Sequence, residues 1–405
     1  MSDSKPIDRA EGVCPIIDID YRIDRPAFET YASLNELREQ APVLYNRTPF
    51  NGYWMVTRYD QVKEALQRPD VFTNKLVSAL GDPSQQLYLI PQNLDGKAHV
   101  AVRHVVNPWF SPLSVKRVEA LARERAIAMI EELAPKGSCD MTSEFAMLYA
   151  TEMFLAMLGL PVEDGTMMLP LVEEIFRGFF GGDPEDQAKA ADEIKQYFDA
   201  AIDDRLTAPR DLGTDFVTFL LNSKMDDEPF SRENILTLCM TIMLAGLDTT
   251  RSALGFIFVH LATHDDDRLT LIAHPERIPD AVEEFVRLYA LVIQDGRYVA
   301  QDVDFHGCPI RKGDVVWLGL AQANRDPRKF DRPDDFVLDR DSNKHMGFGI
   351  GQHRCLGAHL ARTELIIVLE EWLARIPEFR LNATDPLTER GGQLMLKSVP
   401  LAWSV

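Results

Sequence analysis

Residues 348–357 read FGIGQHRCLG. Glycines at 349, 351 and 357 free the backbone to turn tightly or to let another group approach closely. A helical pattern of apolar residues opens at about residue 356 and runs to about 376, so Cys355 stands at a helix start. Two effects there favour an ionised sulfur. The helix N-terminus offers its positive dipole end and unpaired N–H groups, and Arg354 with His353 adds neighbouring positive charge. Backbone N–H groups freed by the glycines can also point at the sulfur and tune its donor strength. The other cysteines, at 14, 139, 239 and 308, are scattered and form no Cys-x-x-Cys pair. Neither a disulfide framework nor a zinc or iron–sulfur site is signalled.

A lone, stabilised thiolate suits an axial haem ligand that pushes electron density toward bound oxygen. The residues by themselves leave two other readings open. One is an ordinary buried cysteine beside a glycine-rich turn. The other is a zinc site from His353, Cys355 and His359, for which no fourth ligand is near in sequence.

Working outward, residues 234–262 form one helical pattern of roughly 40 Å. Its middle reads Ala245-Gly246-Leu247-Asp248-Thr249-Thr250. Glycine, aspartate and paired threonines are poor choices for the interior of a buried helix, and a local misfit inside a consistent element points to a functional position. Gly246 would let a flat ligand approach the backbone. A threonine hydroxyl can compete for a helix carbonyl and open a kink or groove, and Asp248 is an acid able to relay protons. A helix–helix contact made of small residues explains the same stretch equally well.

The decapeptide matches the pattern Phe-Gly-x-Gly-x-His-x-Cys-x-Gly at every fixed position, and 245–250 matches Ala/Gly-Gly-x-Asp/Glu-Thr-Thr/Ser. On these two motifs the chain resembles the cytochrome P450 family, from about residue 30 to its end. It is most similar to the soluble bacterial members that hydroxylate monoterpenes. The resemblance implies haem b as cofactor and O2 as co-substrate. It implies Cys355 as the metal ligand, with Phe348, Gly349, Gly357 and Gly246 in the haem cradle. It implies His99, Arg103, Arg297 and His353 as partners of the haem propionates, Thr249 as the oxygen-handling alcohol and Asp248 as its acid. Glu284 and Arg287, three apart on one helix, read on their own as a surface ion pair. The resemblance makes them a buried structural pair completed by Arg340.

The rest of the chain fits this frame. Helical spacing recurs at 115–133, 165–180 and 186–206, with short strands at 53–57, 297–299, 303–305 and 315–318 and a hairpin expected over 393–405. The fold class is therefore mainly α with a small irregular β region, in one domain over 1–405. The apolar stretch at 235–247 is too short and too polar for a membrane span, and residues 1–20 lack a signal-peptide core, which points to a cytoplasmic protein. A net charge of −20 argues against nucleic acid. The expected pocket draws on 76–92, 168–182, 241–245, 291–295 and 392–394, with Leu87, Thr241, Leu244, Ala245, Ile293 and Gln393 named. Thr241 and Gln393 replace aliphatic positions of the monoterpene type and make the pocket more polar. The expected substrate is a small hydrophobic organic molecule, terpenoid or aromatic and already oxygenated. No nucleotide-binding or iron–sulfur motif occurs, so electrons come from a separate [2Fe–2S] ferredoxin and its flavin-dependent reductase. Lys116, Arg117 and Arg354 offer a basic docking face, and the chain is expected to act as a monomer. An atypical P450 oxidation, such as epoxidation or coupling, and a haem-based sensor are the competing functions.

Overall fold

The computed structural model describes residues 5–76, 78–82, 87–179, 182–225 and 227–405. Helix accounts for 54% and strand for 12%, so the mainly α class holds, with the strands confined to small sheets. The largest sheet has six strands in the order Ile16–Ile17, Val43–Asn46, Tyr53–Val56, Val315–Leu318, Asp295–Val299, Phe72–Thr73. Its two strands at Val43–Asn46 and Tyr53–Val56 are buried at every position. A doubly buried strand reads as a continuous apolar run, and for that reason the one at 43–46 carries no alternation by which to find it.

The central helix, Arg232–Thr263, is 32 residues long, about 48 Å at 1.5 Å per residue. It begins where the Ser231 hydroxyl accepts the Asn234 N–H, a side-chain cap on an otherwise unpaired donor. By length and composition it could cross a membrane, a correction to the shorter stretch read from sequence, yet 78% of its apolar window is buried inside the protein. It therefore packs as a core helix. Through Thr250 it touches the helix Ala358–Arg375, which follows the thiolate loop. That second helix also lies along Pro112–Leu133, where Arg123 pairs with Glu370 and Glu371.

Three expectations are corrected. Cys14 and Cys308 are not free: a disulfide joins them with Cα atoms 6.1 Å apart across a sequence separation of 294, a distance in the ordinary range that no spacing rule reveals. The chain end is not a self-contained hairpin. Met395–Leu396 pairs back with Thr388–Arg390, while Pro400–Ala402 lies between Arg380–Leu381 and Ser138–Asp140. Finally, the central helix is unbroken through 245–250. One helix is described as far as Phe179 and the next starts at Pro184. Residues 180 and 181 there, and 77 and 83–86 of the expected pocket stretch, lie outside the described residues.

Candidate active site

The thiolate loop is shaped by its own backbone. Gly349 and Gly351 sit at φ +65° and +75°, the left-handed region that favours glycine. The Gly349 N–H donates to Met346 O at 2.9 Å and the Cys355 N–H to Phe348 O at 2.8 Å. Cys355 is exposed, yet it lies deeply enough that desolvation pushes its thiol up. Both observations hold only if the sulfur faces an interior space. The Gly357 N–H and the charges of Arg103, Arg362 and Arg354 oppose that rise without overcoming it. The free thiol is therefore not acidified as its helix-start position suggested. A bound metal ion deprotonates a coordinating thiol outright.

On the central helix the open positions form a stripe. Thr241 and Thr249 are half-buried and Ala245 is exposed, whereas Leu244, Asp248 and Thr250 are buried. Residues four apart share a helix face, so 241, 245 and 249 together face open space inside the protein. Gly246 also has a packing role. A Cβ there would come within 2.8 Å of Phe154, so its smallness seats the helix Met147–Leu158 against the central one. Ala245 is the residue open to a ligand. The Thr249 hydroxyl donates to Ala245 O at 2.9 Å and the Thr241 hydroxyl to Thr237 O at 2.8 Å, back-bonds accommodated without a kink.

Asp248 is 4% exposed, and its carboxylate accepts from Arg390 Nη2 at 2.6 Å. Sequence reading missed Arg390, which lies 142 residues away in no recognisable motif. The strand Thr388–Arg390 is keyed on both sides. Buried Glu389 accepts the N–H groups of Phe28 and Thr30 at the start of the helix Glu29–Gln40, while Arg390 reaches Asp248. The following turn carries Gln393, half-buried, whose Nε2 is enclosed with no hydrogen-bond partner. Leu394 N–H then donates to Leu291 O at 3.3 Å, which sets this turn beside the segment containing Ile293. Ile293 and Leu244 are closed into the core, at 1% and 3% exposure. Leu87 is half-buried against the apolar cluster around Met168 and Phe176.

His99 and Arg103 share one face of the helix Gly96–Val106. His99 is 1% exposed, and neither of its ring nitrogens has a partner among the described residues. Burial, then the neighbouring charges of His353 and Arg103, push it down to about 4. The His353 ring lies 4.0 Å away, centre to centre, and contacts Asp95 at 3.3 Å, another residue the sequence did not flag. Arg103 donates to Arg354 O at 2.9 Å. Arg297 is 2% exposed and already held by Asp295 at 2.6 Å, so it comes to any further anion with its charge matched.

Two supports hold this frame. Glu284 accepts from Arg287 and Arg340, and also from Val337 N–H and Asn343. Arg287 in turn donates to the carbonyls of Asn324, Pro333 and Asp335. Beneath the stripe, Glu364 accepts from the Thr250 hydroxyl at 2.9 Å. Desolvation pushes its carboxyl up to about 8 against that hydrogen bond. The folded protein thus keeps a proton that the unfolded chain releases near pH 4.5. Between these values the native state binds more protons, so stability falls as pH rises, by on the order of 5 kcal/mol over the full span. Glu364→Gln should flatten this slope when the thermal midpoint is followed from about pH 5 to about pH 8; an unchanged slope would show that the group is charged in the native state.

The family model described as cytochrome P450 matches residues 139–267 and 277–405. A probable cytochrome P450 127A1 from Sinorhizobium fredii is 34% identical over 371 residues, covering 90% of this chain and 87% of that protein. Cytochrome P450-terp from a Pseudomonas species is 29% identical, covering 92% and 93%. The crystal structure of CYP101J2 superposes with a TM-score of 0.88 at 30% identity, covering the whole of both chains. The chain belongs to the cytochrome P450 family. It is a monooxygenase that uses haem, with O2 as co-substrate.

The residues present fit that group. A haem carries an iron needing an axial donor and two carboxylates needing cations or N–H donors. Cys355 offers a sulfur facing the interior, and His99 offers two unmet buried nitrogens beside Arg103. An unsatisfied buried polar atom costs about 1–3 kcal/mol, and a carboxylate placed there would relieve that cost.

Proposed function

We propose that the chain, acting as one catalytic unit, hydroxylates a compact apolar molecule, terpenoid or aromatic, that already bears an oxygen atom. Cys355 would hold the iron, and His99, Arg103, Arg297 and His353 the propionate edge. The haem, when bound, supplies the oxygen-activating and electron-accepting chemistry. The stripe Thr241–Ala245–Thr249 forms the floor over which substrate lies. The Thr249 hydroxyl proton is taken up by Ala245 O, which leaves its oxygen free to accept. Asp248 is the acid of the site. Consecutive helix residues point about 100° apart, so Asp248 must leave Arg390 and take up a proton from water before it can turn to deliver that proton toward Thr249. Electrons reach the site from a separate [2Fe–2S] ferredoxin and flavin-dependent reductase. Lys116, Arg117 and Arg354 are all exposed and form the docking face for an acidic partner. The setting is the cytoplasm, and the chain acts as a monomer.

Gln393 carries the substrate reading. Thr241 has its proton taken up within its own helix, whereas Gln393 Nε2 has no partner. Of these two, Gln393 is the donor left for a ketone or hydroxyl. Paired compounds with and without that oxygen, titrated for the low- to high-spin shift, should differ in affinity by about 3- to 10-fold, the value of one neutral hydrogen bond. Gln393→Leu should erase the difference. An indifferent wild type would sink the substrate reading. A surrogate ferredoxin and reductase yielding no O2-dependent product from any compound would sink the monooxygenase assignment for this chain.

A further inference from the structure

Helix Ile278–Leu288 carries two successive buried-side glutamates. Neighbouring residues on a helix point in different directions, and these two hold different things. Glu284 gathers the arginines described above. Glu283 reaches toward the thiolate loop, where its two oxygens take Arg362 Nε at 2.5 Å and Arg362 Nη2 at 2.9 Å. His345 contacts the same carboxylate at 3.1 Å. These contacts hold the Glu283 carboxyl down to about 2 in spite of its burial, which works to raise it.

The guanidinium is fixed on its other faces as well. Nη1 donates to Ala358 O at 3.2 Å, in the first turn of the helix that follows Cys355. Its plane lies over the Phe348 ring, 4.4 Å from the centroid, a cation–π contact. Phe348 is joined directly to the sulfur-bearing residue, because its carbonyl accepts the Cys355 N–H. There is little slack: a Cβ on Gly347 would come 2.6 Å from Val286 Cγ1, so the loop rests on the same helix that carries Glu283. With every guanidinium nitrogen engaged inside the protein, Arg362 is built for a fixed internal role more than for grasping a partner.

We propose that Arg362, clamped by Glu283 onto the Phe348 ring, is a positioning residue that fixes a positive charge beside the thiolate, steadies the loop and sets how readily the haem iron accepts an electron. This rests on Cys355 being the iron ligand. A positive charge held near the iron favours its reduced, less positive form, and the arrangement loses that bias when the charge is removed.

The test uses haem-loaded protein without any redox partner. Two quantities are read: the ferric–ferrous equilibrium in a reductive titration, and the survival on warming of the thiolate-type absorbance of the reduced carbon monoxide complex. Arg362→Met should shift the reduced-to-oxidised ratio about 3- to 10-fold toward ferric, tenfold being about 59 mV for one electron. Arg362→Lys should restore the ratio to within about twofold, since the charge returns, yet lose the thiolate-type absorbance sooner, since the planar clamp does not. Glu283→Gln should lose the thiolate-type absorbance sooner, as the lysine variant does, but should move the ratio toward ferrous, since a negative charge is removed and the guanidinium remains; these two carry the test if the methionine variant takes up no haem. If all variants match the wild type in both readouts, the proposal is overturned. If Lys and Met are equally shifted, the effect is loop damage alone and the charge assignment fails. A wild-type protein lacking the thiolate-type absorbance would instead overturn the Cys355 assignment.

Discussion

Cys355→Ser is expected to leave the fold in place and to abolish the thiolate-type absorbance, with O2-dependent turnover reduced by about 10^3-fold or more, equivalent to about 4 kcal/mol of barrier. Fold and function separate here because the loop is held by bonds that do not involve the sulfur. The Gly349, Arg354 and Cys355 N–H groups all donate to loop carbonyls, and Gly349 and Gly351 supply the left-handed turns. A serine keeps these bonds and places an oxygen where the sulfur was, without the soft donor that a thiolate gives to iron. The measurements are the spectrum of the reduced carbon monoxide complex and product formation with a surrogate electron supply. A serine variant retaining both would mean that another residue binds the iron.

Removing the Glu284 carboxylate should damage the protein differently, through stability rather than chemistry. Glu284 and Arg287 are 1% and 0% exposed. Burial by itself would raise this carboxyl, but its bonds to Arg287 and Arg340 outweigh that and hold it below the ordinary range. Glu284→Gln strands two adjacent guanidinium groups in the interior without a counter-charge. Breaking a buried pair from one side costs about 3–5 kcal/mol, and here the stranded Arg287 also anchors three carbonyls of the irregular stretch before the thiolate loop. The denaturant midpoint should fall accordingly, with haem retention falling alongside it. By contrast, Arg277 and Asp339 pair at the surface at 2.7 Å, and breaking that contact should change the midpoint little. Equal effects at the two pairs would show that Glu284 has no special structural weight.

The parts of the site legible in the sequence were those written contiguously. FGIGQHRCLG, the run at 245–250 and the i, i+3 pair Glu284–Arg287 carry their geometry in their spacing. Arg340 was assigned by resemblance and does reach Glu284. What stayed hidden are pairings made by tertiary packing. Arg390 meets Asp248, Asp95 meets His353 and Glu283 meets Arg362 across separations of 142, 258 and 79 residues, and no periodicity links such partners. Gly246 was read for its small size, and the structure adds a neighbour the sequence did not name. A glycine in a helix signals close approach without saying from which side, and here it is Phe154 that approaches. The chain end misled for a related reason. An alternating run such as 400–402 suits any partner strand, and tertiary structure chose Ser138–Asp140 and Arg380–Leu381.

The strand at 388–390 limits how this enzyme can change its substrates. Side chains alternate sides along a strand, so sliding it by one residue would turn the Glu389 acid toward the central helix and the Arg390 base toward the Glu29–Gln40 helix. Each would then face a poor match at both ends. Length changes just upstream of the turn at 391–394 are thereby discouraged, as are side chains at Gly391, where a Cβ would meet the Arg22 backbone at 2.3 Å, whereas exchange of the half-buried Gln393 disturbs neither lock. New specificities in this lineage should accordingly arise by replacing residues such as Gln393, with the number of residues in the turn held constant.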